Sequence, residues 1–420
     1  MHSKIKLVTL FIVIGVLFLI ACKKKKIDLP NKPLPTVPTV PTIPAVNTKI
    51  IDCDSVPSLF KDLKDGVDYI IKCQILIKDK VLVIDPGVTI QFEGKNSGIV
   101  IHEEFSGGGL RMIGTAAKPI ILQGKDATRG NWLGVILGSR NLENKWEYVT
   151  IRDAGGGEKP AGLLLENFFA NTSLVSIKNC SFINNLGYGI SDYHSSISYT
   201  SSVFTSFENN KFIDNEKSAL QLNIGFVGSL DESSSYDNNG QKYIEVTGVY
   251  GPQYDLTLQK LNVPYLIKGN LEVRKKIIIM PGTVLQFAKD GGFYAMHYNT
   301  NGAIIANGTT SLPIKFQGFE PNIKGYWYGI ELNNADPNTI FNYCNIDGAG
   351  SLPSRSGCSS EDRSSLHFGA RCGIETGRGI ITNSTISNSG GHAITYQLGR
   401  NVTLSNNTYI GNNSIDIYNY

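Results

Sequence analysis

The sequence predicts an all-β chain folded as a right-handed parallel β-helix made of two tandem copies of a unit of about 195 residues, and three observations carry that reading. The first is internal repetition. YIIKCQILIKDKVLVIDPGVTIQF (69–92) matches YLIKGNLEVRKKIIIMPGTVLQF (265–287), with Pro86-Gly87 facing Pro281-Gly282 and Phe92 facing Phe287 at an offset of 195. IGTAAKPIILQG (113–124) matches NGTTSLPIKFQG (307–318) at 194. NWLGVIL (131–137) matches YWYGIEL (326–332), and WEYVTIRDAG (146–155) matches FNYCNIDGAG (341–350), both at 195. The second is local: short apolar runs alternate with Gly, Asn and Pro turns, so that LVIDPGVTIQF reads as strand, tight turn, strand. The third is a looser period. IKNCSFINN (177–185), FENNKFIDN (207–215), ITNSTISNS (381–389) and LSNNTYIGN (404–412) each give Asn, two residues, then Phe, Ile or Tyr. The first pair is 30 residues apart and the second 23, which is the spacing of solenoid coils.

In such a coil, aliphatic side chains stack inward from rung to rung, and Asn at the bends tolerates unusual backbone angles while hydrogen-bonding along the stack. Charged residues are only 18% against 41% hydrophobic, with 44 Gly and 19 Tyr, which suits turn-rich β structure rather than long amphipathic helices. The domain boundaries read as 1–21, 22–49, 50–235 and 236–420, with the junction between copies in the polar stretch DESSSYDNNG (231–240).

Residues 1–6 are short and positive, and 7–21 form an uninterrupted apolar run that suits a signal peptide and is short for a membrane span. The run ends Leu19-Ile20-Ala21-Cys22, which resembles the bacterial lipobox; the resemblance implies cleavage before Cys22, lipidation of its thiol and attachment to a membrane. Lys23 follows, where Asp would resemble an inner-membrane retention signal, so the expected address is the outer membrane of a two-membrane cell. Residues 22–49 form the tether. Pro30, Pro33, Pro35, Pro38, Pro41 and Pro44 keep its second half extended, and at about 3.1 Å per residue some twenty residues reach roughly 60 Å.

The formal net charge of +3 comes from the leader. Residues 1–49 hold eight Lys and one acid, leaving 31 basic against 35 acidic residues in 50–420. A body near −4 lacks the clustered basic face that nucleic acid requires.

The succession of strand, PGT-like turn, GT…PI, Trp-x-Gly-aliphatic and a strand ending in Ala-Gly is similar to β-helix lipoproteins common in Bacteroidetes, of the pectin-lyase-like superfamily. The resemblance covers roughly residues 66–420 in two passes. It implies the fold and leaves the activity open, because that superfamily includes lyases, hydrolases and adhesins. A lyase would need a Lys or Arg base and often Ca²⁺ held by carboxylates; otherwise no cofactor is expected.

Candidate residues follow from chemistry. Glu103-Glu104 after His102, with His297 at the matching place, and Asp231-Glu232 with Asp237 are the carboxylate groupings. The first reads as a polar stack at a bend and the second as a solvated linker. SGGHAI (389–394) resembles a polygalacturonase segment only superficially, because His392 replaces Tyr188 of the first copy and the accompanying Asp pair is absent. Trp132 and Trp327 occupy equivalent places; exposed they would stack on sugar rings, and buried they would fill a coil corner. Cys358 and Cys372 bracket a Ser-rich insertion and suit a loop-closing disulfide, Cys53–Cys73 suits a pin on the first coil, and Cys344, aligned with Val149, suits a buried thiol. No cysteine or histidine spacing argues for zinc.

Two insertions, 156–162 and 351–372, follow the two Ala-Gly corners, and loops on a rigid scaffold commonly carry binding. The expectation is a membrane-anchored envelope protein, non-catalytic, presenting a surface to glycans or other macromolecules. The rivals are a polysaccharide lyase or hydrolase and a structural or adhesive component. Lys or Arg beside two or more carboxylates in one groove would favour catalysis.

Overall fold

The computed structural model describes residues 47–64, 66–102, 107–167, 173–192, 200–296, 302–333, 336–355, 363–369, 377–399 and 401–420. From residue 47 to Tyr420 the described residues form one compact unit. It is a right-handed parallel β-helix: each strand pairs with the strand one coil on, and every strand-to-strand pairing is parallel. No helix among the described residues is long and apolar enough to cross a membrane.

The core forms because alternate residues of each short strand point into the coil. Ile90, Leu122, Ile151 and Phe182 are successive inward residues of one face, paired in register and buried. Aromatic rings continue such rows. Phe182, Phe212 and Tyr236 stack at 5.1 and 5.6 Å with interplanar angles of 6° and 14°.

The Asn pattern works as expected at the bends. Asn179, Asn209, Asn383 and Asn406 all take φ between +51° and +55°, the left-handed region that Asn tolerates best after Gly. The ladder itself runs through neighbouring positions. The Asn185 backbone N and Nδ2 both donate to Asn215 Oδ1 (3.2 and 2.8 Å), and the Asn215 N and Nδ2 donate to Asn239 Oδ1 (3.1 and 2.8 Å). Each Nδ2 also reaches a carbonyl of the preceding coil, Ile151 for Asn185 and Phe182 for Asn215.

The polar stretch 231–240 is a rung, which corrects its reading as a solvated linker. Ser235–Asn238 is a strand beside Lys211–Ile213, with Tyr236 fully buried. Asp231 accepts from Ser233 and Ser234, and its carbonyl accepts from the Tyr236 hydroxyl, so this carboxylate shapes a turn.

Segments matched at an offset of 195 do not share a face. Thr89–Phe92 lies in an eight-stranded sheet that ends at Ser235–Asn238, while its match Val284–Phe287 lies in the thirteen-stranded sheet. Gly134–Leu137 lies in the thirteen-stranded sheet, whereas Gly329–Leu332 belongs to a separate six-stranded one. The later segments therefore enter the one shared sheet a face out of phase. The coil at 220–247 makes the shift, with a 3₁₀ turn at Val227–Ser229.

Candidate functional site

Trp132 and Trp327 do not meet solvent, which corrects the sugar-stacking reading of both. Each is 0% exposed. Trp132 stacks on Phe92 and Trp327 on Phe287, each at 4.1 Å with planes within 6°. A buried indole N–H needs an acceptor, and the two Nε1 atoms donate at 2.7 Å to the carbonyls of Arg152 and Asp347. The Gly of each Trp-x-Gly is required by the same corner. Gly134 and Gly329 have φ of +98° and +116°, and a Cβ would meet a backbone oxygen of the next coil at 2.7 or 2.8 Å.

Cys53 and Cys73 form a disulfide with a Cα separation of 6.4 Å, joining the 3₁₀ turn Cys53–Ser55 to the start of the next coil. Cys180 and Cys344 are free and buried, and burial pushes both thiols up to about 12. Thiolate is the reactive form, so neither should be alkylated at pH 8 in the native body, and both should be in denaturant; mass spectrometry after maleimide treatment checks this. A raised thiol value means that folding favours the protonated form. That contribution is complete below the ordinary value of 9.0 and is lost as pH rises toward about 12, at about 1.4 kcal/mol per pH unit per thiol.

Of the other candidates, Cys22, Glu103, Glu104, His297, Cys358 and Cys372 lie outside the described residues. His102 points its Nδ1 at Glu166 Oε2, 2.7 Å away. His392 opens the strand His392–Tyr396, where Nδ1 lies 2.8 Å from the Ile415 carbonyl and the ring stacks on Tyr418. Among the described residues, no group of three or more His, Cys, Asp or Glu side chains is placed to hold a metal ion.

The insertion loops are where concavities form. The first rims an open groove of about 290 Å³ on the thirteen-stranded sheet. Glu158, Lys159 and Pro160 come from the loop, Tyr188, Ser191 and Asp192 from the strand Tyr188–Asp192, and Lys217 and Gln221 from the next coil. The outward row of this sheet runs Val100, Ile136, Leu164, Ser191, Gln221, Glu245 in register, so it changes from apolar to polar at the groove. Ser191 Oγ donates to Gln221 Oε1 (2.8 Å), and Gln221 Nε2 donates to Glu245 Oε1 (2.9 Å). Asn167 Nδ2 donates to Asp192 Oδ1 at 2.9 Å.

Lys217 Nζ sits 5.0 Å from the Tyr188 ring centroid, a cation–π distance. Burial, with the Glu245 carboxylate beside it, drives the Tyr188 phenol well above its ordinary value. Partial desolvation lowers the Lys159 amine, while Glu158, Asp192 and Glu166 pull it back up. The groove thus holds two lysines and at least two carboxylates, the combination that sequence reasoning attached to catalysis and did not locate. Ser191 and Gln221 escaped it because they stand at outward positions of successive coils, where no core pattern marks them, and Tyr188 was read only as the structural counterpart of His392. The nearest signal was the insertion loop itself.

No family model matches this chain, and no curated protein matches it. Among solved structures it is similar to the crystal structure of the Agl-KA catalytic domain, with 14% identity over 84% of this chain and 62% of that one, at a TM-score of 0.26. The chain spans less than two thirds of that structure, and with so loose a superposition the fold rests on the strand pairing.

Proposed function

We propose that this chain is an envelope protein, lipid-anchored through Cys22 and held off an outer membrane by its Lys/Pro-rich tether, whose β-helix body binds glycan in the groove beside the first insertion loop. The matched segments are read as two copies of one unit. The observation that carries the binding reading is the groove: amide, hydroxyl, carboxylate and ammonium groups converge from three chain segments on a rigid sheet, beside the Tyr188 ring. Hydroxyl-rich ligands are held by such fixed polar groups with an aromatic wall. A second reading, polysaccharide cleavage, is favoured by Lys159 and Lys217 sharing this groove with Glu158 and Asp192, since general acid–base work needs a proton acceptor and donor side by side.

A panel of neutral and acidic polysaccharides should show binding by the wild-type protein, and Gln221→Ala with Lys217→Ala should weaken it at least about tenfold, roughly 1.4 kcal/mol. Isothermal titration measures this. Reducing ends and the ultraviolet absorbance of unsaturated uronates report turnover in the same samples. Turnover abolished by Lys159→Ala or Asp192→Asn would replace the binding reading by the catalytic one. Unchanged affinity in the groove variants would remove the groove from either.

A further inference from the structure

We infer that the second half carries a separate oxyanion-binding site on a different face, centred on Arg355, for carboxylate or sulfate-ester groups of an acidic polymer. Its sheet consists of the strands Asn270–Glu272, Gly292–Ala295, Gly329–Leu332, Ser364–Phe368, His392–Tyr396 and Ile417–Asn419. The outward row runs Glu272, Tyr294, Glu331, His367, Thr395, Tyr418 in register. The beginning of the second insertion, Leu352 to Arg355, lies over this row.

Glu331 fixes that strap. Buried at 1% exposure, it accepts from the Tyr328 hydroxyl, Asn333 Nδ2 (2.6 Å), Ser354 Oγ (2.8 Å) and the Arg355 backbone N (3.0 Å). Its lone pairs are thereby spent on the strap and its surroundings. The Arg355 guanidinium carbon lies over Tyr294, 4.1 Å from the ring centroid, and 5.8 Å from that of Tyr328. Arg355 is exposed, and no ion pair among the described residues includes it. Arg274 makes the contrast. It lies over Tyr250 at the same 4.1 Å, but its Nε and one terminal nitrogen bond Glu272 at 2.9 and 2.8 Å.

A guanidinium held by two rings and left without a carboxylate is a preorganised donor fork, and its planar donors match a carboxylate or sulfate. A second observation comes from the recess beside it, which Ser354 lines and Arg355 does not. Ser364 lines the recess between the strap and the sheet, is 7% exposed, and its Oγ has no hydrogen-bond partner. The recess is only about 10 Å³, room for one oxygen atom and not for a sugar ring. The anionic group therefore sits on the Arg355 fork with the rest of the polymer outside.

The full chain is titrated with polygalacturonate, dextran sulfate and neutral dextran. Wild type should bind at least one polyanion, more weakly as salt rises, and Arg355→Gln should lose tenfold or more while leaving neutral-glycan binding alone. Arg355→Lys, which keeps the charge without the fork, should recover only part. Tyr294→Leu removes the platform and should weaken the same ligand, while Tyr294→Phe should not. Lys217→Ala in the first groove serves as the control: an effect there without one at Arg355, no polyanion binding by wild type, or equal affinity of Arg355→Gln and wild type would each overturn the assignment. An Arg355 effect that survives failure of the groove variants would leave this site standing alone. Whether polygalacturonate or dextran sulfate is preferred separates carboxylate from sulfate recognition.

Discussion

Trp132→Ala is expected to destabilise the body by about 3–5 kcal/mol, the range for truncating a buried large aromatic, and Trp327→Ala by a similar amount. The ring is wholly buried and stacks on Phe92, and its Nε1 is hydrogen-bonded to Arg152. Removing it opens a cavity between coils, and interiors this densely packed relax only in part. Trp132→Phe keeps the stacked ring and loses one hydrogen bond, for about 1 kcal/mol plus a smaller cavity term. Denaturant unfolding followed by circular dichroism measures the difference. A loss below about 1 kcal/mol for the alanine variant would mean that the corner is not packed as described. A variant with unchanged stability and lost glycan binding would return the indole to the surface.

What the sequence made legible follows what the fold constrains. A left-handed bend one step before a buried or half-buried Asn, Ser or Cys restricts residue type at a fixed interval, so Asn179, Asn209, Asn383 and Asn406 were visible as a period. Trp132 and Trp327 were visible as a pair because one corner geometry demands both the indole and the Gly two residues on. Spacing along a chain does not say which face of a prism a strand occupies, so the out-of-phase entry of Val284–Phe287 into the shared sheet had no sequence signal. Residues 231–240 look like a linker because only Tyr236 and its neighbours in the Asn and Ser ladder turn inward there. Ser191 and Gln221 face outward, where packing imposes no pattern, and Arg355 is singled out by lying over two rings with no ion pair among the described residues, which only the fold reveals.

Asn215→Ala is the other substitution with a large expected cost, and it tests whether the ladder contributes stability or only marks the bends. Asn215 is completely buried. Its Oδ1 accepts from the backbone N and Nδ2 of Asn185, while its Nδ2 donates to Phe182 O and Asn239 Oδ1. Alanine leaves the Asn185 backbone N and the Phe182 carbonyl without these partners and takes one of two bonds each from Asn185 Nδ2, which keeps Ile151 O, and Asn239 Oδ1, which keeps the residue-215 backbone N, at about 1–3 kcal/mol for each group left unpaired, with a cavity term added. Some relaxation brings the expected total to about 3–5 kcal/mol. Asn406 is the control: it is exposed at a bend with φ of +54°, so its alanine variant should lose the left-handed preference and one exposed hydrogen bond to Asn383 Oδ1, about 1–2 kcal/mol in all. Asn215→Asp separates hydrogen bonding from shape. A carboxylate there would face the Phe182 and Asn239 oxygens without a proton to give, so folding would raise its pKa. The penalty should be smallest at low pH, where the carboxyl is protonated, and should grow as pH rises through the ordinary carboxylate range. Chemical unfolding of the three variants at acid and neutral pH reads this directly, and a pH-independent Asn215→Asp with a cost near that of Asn406→Ala would show that the buried ladder adds nothing beyond its backbone conformation.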